Sequence, residues 1–201
     1  MRVGGRYGHT FGALLLKRRD NMALVRTGAA GLGWRGGKGT APVKKATFQI
    51  RRATCGHAAG ILECLRAAFG EYRADYTEGA YLDTVLTPES LEARLSTSTI
   101  FVALDGMQQV IGTVGCSQAD QEEGHIRGMA VRPDWRGAGV AQQLLKRVEL
   151  ELRERKCSRV SLDTTEPLRR AMRFYERNGY LRSGKVANFF DMALIEYVKK
   201  L

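Results

Sequence analysis

Ile126-Arg-Gly-Met-Ala-Val-Arg-Pro-Asp-Trp-Arg-Gly-Ala-Gly-Val-Ala141 decides the reading of this chain. Apolar residues through Val131 read as a strand, and Pro133-Asp134 turns it. Arg136-Gly137-Ala138-Gly139-Val140-Ala141 then opens a long helix. Small residues at a strand-to-helix junction let backbone approach a ligand closely. The free N–H groups of the helix start, with the helix dipole behind them, favour an anion such as a phosphate. A glycine-rich turn before a capped helix, with Arg136 in a surface ion pair, is the plainer reading of the same residues.

Outward from this stretch the pattern is regular. Residues 139–155 carry Leu144, Leu145, Val148 and Leu152 on one stripe, as an amphipathic helix does. A short strand over 159–163 follows, then a helix over 167–178 stopped by Gly179, and a closing strand over 188–198. Upstream, residues 47–52 alternate as a strand, and Thr54 precedes a helix with Ile61, Leu62, Leu65 and Phe69 on one face. Residues 76–86 read as helical, and Thr87-Pro88 caps a helix running to Leu95. Residues 99–104 and 110–117 form antiparallel strands about a turn at Asp105-Gly106, and 125–131 is a further strand. With residues 76–95 taken together as one helical region, the order β-α-α-β-β-β-α-β-α-β predicts an α/β fold with a mixed sheet and helices on its faces.

The net charge of +11 falls entirely within residues 1–52, which hold twelve Lys/Arg and one acid, Asp20; residues 53–201 balance at twenty of each sign. A basic groove across the fold is therefore not expected, and nucleic acid would engage only a basic tail. Residues 1–44, with ten of the 23 glycines, lack the apolar repeat needed to bury a face and read as a disordered tail. A targeting peptide and a later natural start, such as Met22, are the other readings. Phe11 to Leu16 is too short an apolar run to span a bilayer. Gly31-Leu-Gly-Trp-Arg-Gly36 matches a dinucleotide fingerprint, but no strand precedes it and the next acid is Glu63. Gly36-Gly-Lys-Gly-Thr40 likewise lacks the hydroxyl after its lysine that a phosphate loop requires. Cys55, Cys64, Cys116 and Cys157 form no CxxC pair, which fits free thiols in the cytoplasm and gives no metal site.

Arg136-x-x-Gly139-x-Ala141 resembles the pyrophosphate loop of the GCN5-related N-acetyltransferases (GNAT). Met129-Ala130-Val131 resembles the strand that pairs with the pantetheine arm in that family. Ala171-Met-Arg-Phe-Tyr-Glu-Arg-Asn-Gly-Tyr180 is similar to the family's segment near its carboxyl end. The resemblance implies a domain over residues 45–201 whose mostly antiparallel sheet splays between its fourth and fifth strands, with acetyl-CoA inserted there as a missing strand. It implies that Met129, Ala130, Val131, Arg136, Gly137, Ala138, Gly139, Val140 and Ala141 hold the cofactor. It implies direct attack of an acceptor amine on the thioester, with a backbone N–H near Met129 facing the oxyanion. Tyr175 would give a proton to the leaving thiolate; packing on the core face of its helix is the plainer role. One departure is Leu168, where many members carry an asparagine that contacts the cofactor.

A base is needed to free the attacking amine. Glu122, Glu123, His125 and Asp163 are the candidates, each also readable as a solvated hairpin or edge residue. Tyr72, Tyr76, Thr77 and Tyr81 are candidates for the acceptor site. The expected partner is an amine-bearing small molecule. A protein amino terminus or lysine, a non-catalytic acyl-CoA-binding module, and a nucleic-acid-associated protein acting through its tail are the alternatives. Self-association into a homodimer stays open.

Overall fold

The computed structural model describes residues 47–201; the readings made of residues 1–44 lie outside the described residues. Seven strands form one sheet in the order β1-β2-β3-β4-β5-β7-β6. They are β1 (Gln49–Arg52), β2 (Thr99–Leu104), β3 (Val110–Gln118), β4 (Glu123–Val131), β5 (Arg159–Thr165), β6 (Leu181–Phe189) and β7 (Met192–Lys200). Only β4 and β5 run parallel; every other neighbouring pair is antiparallel. The expected mixed sheet is present.

Helices cover both faces. On one side lie α1 (Ala58–Phe69), α2 (Glu78–Val85) and α3 (Pro88–Thr97). The predicted α1 stripe of Ile61, Leu62, Leu65 and Phe69 is buried. Ile61 and Leu65 meet Leu91 of α3 above Ile100, Thr113 and Gly115 of the sheet. Thr87 caps α3 through Ser90 N at 3.2 Å, with Pro88 in the first turn, as its sequence predicts. Thr54 precedes a single 3-10 turn, Cys55–His57, before α1 begins. The opposite face carries α4 (Val140–Glu154) and α5 (Arg169–Arg177). Leu144, Leu145, Val148 and Leu152 of α4 are buried to within 1% of complete enclosure.

Close packing of α4 depends on glycines in the sheet. A Cβ at Gly112 would stand 2.9 Å from Leu144 Cδ1 and Val140 Cγ1, and 3.2 Å from the Ala130 carbonyl. Gly124 meets Leu152 at 2.5 Å in the same way. No helix among the described residues is long and apolar enough to cross a membrane.

The carboxyl-terminal region departs from the sequence reading. The single strand expected over 188–198 crosses a hairpin turn: β6 ends at Phe189, Phe190 and Asp191 turn the chain, and β7 starts at Met192. Phe190 (φ 49°) and Asp191 (φ 65°) both take left-handed backbone, the geometry that matches the strand twist in a two-residue hairpin. Phe-Asp is not the Asn-Gly or Asp-Gly signal by which such turns are recognised. Asn188 compensates, its Oδ1 accepting from Asp191 N at 3.1 Å.

Gly112→Val is expected to lose about 1–3 kcal/mol of stability, because the added methyls overpack a contact that includes backbone. Urea unfolding of the two proteins measures it, and equal midpoints would contradict this packing.

Candidate active site

The parallel pairing of β4 with β5 covers four residues, Glu123 to Ile126 against Arg159 to Leu162. Beyond that point β5 stays with β7 through Thr165, while β4 stays with β3 through Val131. The two strands therefore diverge, each with backbone groups that no neighbouring strand takes up. On β4 the split coincides with a bulge. Gly115 pairs with Arg127 and Thr113 with Ala130, so Gly128 and Met129 together oppose Val114. Gly128 takes φ +60°, which glycine adopts without steric cost. Met129, Ala130 and Val131 are fully buried.

Tyr175 reaches this point from α5. Its Oη lies 3.8 Å from Met129 Sδ, and its ring packs edge-on against Phe174 and Tyr180. It is 1% exposed, and burial pushes its phenol well above the ordinary range, so the proton stays on Oη. The ring is part of the core, and the hydroxyl meets Met129, three residues beyond the last β4 residue paired with β5.

The predicted glycine turn lies at the start of α4. Gly137 and Gly139 each take φ +85°, and a Cβ on either would meet nothing within 4 Å. The first amides of α4 precede its hydrogen-bond ladder, which begins with Gln143 N to Gly139 O at 3.1 Å. A groove of about 410 Å³ borders this turn, lined by Gly137, Gly139, Ala141, Gln142, Arg177 and Asn178. Open space, left-handed glycines and unpaired amides together fit a phosphate-bearing group. Gln142, Arg177 and Asn178 were not anticipated. The signal available was their place one helix turn from Gly139 and just before Gly179. Gln142 Nε2 donates to Asn178 Oδ1 at 2.7 Å, tying α4 to the end of α5.

Arg136 forms a buried ion pair, not the surface pair of its plainer reading. Its side chain is 1% exposed, Nη1 pairs with Glu71 Oε1 at 2.7 Å, and Nη2 donates to the Ala68 carbonyl at 3.3 Å. The guanidinium thus fastens the turn to the end of α1. Leu168 is buried in the core rather than facing the groove.

The candidate bases separate into two groups. Glu122 and Glu123 stand at the closed end of the β4–β5 pair, where Glu123 Oε2 meets Arg159 Nη1 at 3.4 Å. His125 and Asp163 come together near the open end, with Nε2 and Oδ2 3.6 Å apart; His125 Nδ1 lies 3.1 Å from Ser161 Oγ. Burial, and then Glu196, raise the Asp163 carboxyl to about 6. Asp163 and Glu196 are cross-strand partners, and both line a cavity of about 610 Å³ with Asp83, Lys185, Phe189 and Phe190. Tyr72, Tyr76, Thr77 and Tyr81 are not on its wall. Tyr76 is buried with its hydroxyl 2.9 Å from Thr165 Oγ1, and Thr77 caps α2 while donating to the Phe190 carbonyl at 2.7 Å. Among the described residues no cluster of three or more His, Cys, Asp or Glu could hold a metal ion.

Comparison with known proteins follows this geometry. Residues 60–180 match the Acetyltransferase (GNAT) family. An N-alpha-acetyltransferase, MAK3 of Arabidopsis thaliana, is 26% identical over 83 residues, which are 40% of this chain and 44% of that protein. The chain thus spans under half of that relative's length. A GNAT-family acetyltransferase of Staphylococcus aureus superposes with a TM-score of 0.64 at 20% identity, covering 77% of this chain and 99% of that one. The PaiA N-acetyltransferase of Thermoplasma acidophilum, solved in complex with coenzyme A, superposes at 0.62 with 16% identity over 77% and 99% of the two chains. These two likenesses are likenesses of fold.

Asp163 gives the site a stability signature. Its proton is held more tightly in the folded state (about 6) than in the unfolded one (ordinarily near 3.9), so its contribution is full below about pH 4. That contribution is lost as pH rises through about 6. Relative to Asp163→Asn, the wild type is expected to lose up to about 3 kcal/mol between pH 4 and pH 7. Chemical denaturation of both proteins across this range checks it, and a constant difference would refute it.

Proposed function

Since the chain belongs to the Acetyltransferase (GNAT) family, we propose that it transfers the acetyl group of acetyl-CoA to a primary amine, a small molecule in preference to a protein. One conjunction carries the reading: the split between β4 and β5 has the anion-suited turn of α4 close by and the Tyr175 hydroxyl at Met129. When bound, acetyl-CoA supplies the thioester whose carbonyl the amine attacks and whose sulfur leaves.

The chain's residues then divide the work. The turn from Gly137 to Ala141 offers amides to the pyrophosphate, with Arg177 lining the same groove. Arg136 holds this turn in place through Glu71 instead of meeting the phosphates with its guanidinium. Met129, Ala130 and Val131 present backbone to the pantetheine, in the place where a strand is missing. The Met129 N–H, in the bulge, donates to the oxygen that gains charge during attack. Tyr175 holds its proton firmly because it is buried, which makes it a hydrogen-bond donor to the departing sulfur. A peptide amino terminus as acceptor is the second reading, supported by the stretch similar to the Arabidopsis N-alpha-acetyltransferase.

Two variants test this assignment. Gly139→Asp brings bulk and negative charge to a position with free space around it, where an aspartate tolerates left-handed backbone better than most residues. It is expected to fold and to lose acetyl-CoA binding; unchanged affinity by calorimetry would remove the turn from the site. Tyr175→Phe keeps the ring packing and deletes only the hydroxyl. Turnover, followed as thiol release, is expected to drop about 10²-fold or more with acetyl-CoA affinity retained. Full turnover at saturating acceptor would leave the sulfur to water.

A further inference from the structure

The cavity of about 610 Å³ lies between α2 and the β6–β7 hairpin, and Asp163 places it at the sheet's split. Asp163 is the first β5 residue beyond the last one paired to β4, Leu162. The cavity wall is mixed in character. Val186, Ala187, Phe189, Phe190 and Leu194 supply apolar lining, and Phe190 is 53% exposed. Asp83, Asp163 and Glu196 supply acidic groups to the same lining, with Lys185 Nζ 3.6 Å from Glu196 Oε1.

We propose that this cavity receives a primary ammonium carried on an apolar arm, and that Asp163 takes the ammonium's proton before the nitrogen attacks. The proposal rests on the acetyltransferase reading for its chemistry and on the cavity alone for its binding. Asp163 sits where it can do this, at the vertex of the split and on the cavity wall. Its neighbours explain why it suits the task. Glu196 stands directly across on β7; its Oε1 is 3.6 Å from Lys185 Nζ, and its Oε2 is shielded from solvent without a hydrogen-bond partner. Two carboxyls facing each other in a partly enclosed wall favour a shared proton and welcome a cation between them. His125 Nε2 lies 3.6 Å from Asp163, Arg127 of β4 and Lys185 of β6 pull its carboxyl downward, and Asp83 of α2 completes the charged wall. Burial and Glu196 outweigh the cations, leaving the carboxyl near 6. At neutral pH it is an anion with unusual proton affinity, which is what a base for an ammonium requires.

The step balances. One N–H bond of the ammonium breaks and its proton passes to Asp163, leaving a lone pair on nitrogen. That pair forms the C–N bond, the C–S bond breaks with its electrons on sulfur, and a second nitrogen proton ends on the thiolate.

The test uses the full chain with two probe amines, phenethylamine and methylamine. Calorimetry should show phenethylamine binding at least about tenfold more tightly than methylamine, since its arm buries apolar surface. Asp163→Asn, and separately the lining variant Phe190→Ala, should each weaken phenethylamine about tenfold or more while acetyl-CoA binding is retained. Equal affinity for the two amines, or no effect of either variant, overturns the site. The pH profile tests the proton step. With Asp163 as base, wild-type kcat/KM for phenethylamine should rise through about pH 6 and level off. Without an enzyme base it would follow the free amine and keep climbing toward that amine's pKa of roughly 10, which overturns the role. Asp163→Asn should convert the first profile into the second. Amine binding with no acetyl transfer by wild type would defeat the acetyltransferase reading and the proton step while leaving the site standing.

Discussion

Everything in this domain answers to the short parallel contact between β4 and β5. Four residue pairs hold the strands together, and then β5 follows β7 while β4 follows β3. A sheet interrupted in this way leaves N–H and C=O groups on two facing edges, where burial without partners would be costly. The arrangement is stable only if water or an extended ligand supplies the missing hydrogen bonds. The bulge at Gly128 and Met129 turns β4 away at the same point, so the gap is built into the register. α4 and α5 are then placed by what they bury: α4 by Gly112 and Gly124 beneath it, α5 by the aromatic contacts of Phe174, Tyr175 and Tyr180.

The glycine turn at the start of α4, the backbone-made part of the proposed site, was legible in the sequence. Gly137 and Gly139 are legible because left-handed φ at a helix start selects glycine almost regardless of context. The α4 stripe is legible because its period is strict. The divergence of β4 and β5 came from the family resemblance; no residue in either strand marks its own last paired position. Arg136 shows the limit from the other side. Its spacing suits a phosphate ligand, but the choice between phosphate and Glu71 depends on where α1 ends, 65 residues earlier in the chain. Such long-range pairing leaves no trace in local pattern.

The cavity proposed for the acceptor was least legible, and the reason is physical. Its wall combines one residue of α2, one of β5 and many from the β6–β7 hairpin. That hairpin was read as a single strand, because Phe190-Asp191 is a turn held by Asn188 and by Thr77 from a distant helix, without intrinsic turn residues. Once the turn was missed, the register opposing Asp163 and Glu196 could not be drawn. The acceptor candidates Tyr72, Tyr76, Thr77 and Tyr81 followed from position near the early helices, and they do not line this cavity. Tyr76 proved to be a strut to Thr165 of β5.

The two halves also differ in how firmly they are held. Met129, Tyr175 and Tyr180 are core side chains, so the half proposed for the cofactor has little freedom to deform without loosening the domain. The half proposed for the acceptor rests on β6, an edge strand whose residues are mostly exposed, and on a short α2 with Leu82 facing solvent. Edge elements with few buried contacts open at lower free energy than a packed core. On the proposed function, rigidity falls to the side that would align a thioester, and tolerance to the side that would admit an acceptor. A substitution at the exposed Val186 or Phe190 would alter the proposed acceptor wall at little cost to the fold. One at Met129 cannot change the chemistry without also changing the packing on which both halves depend.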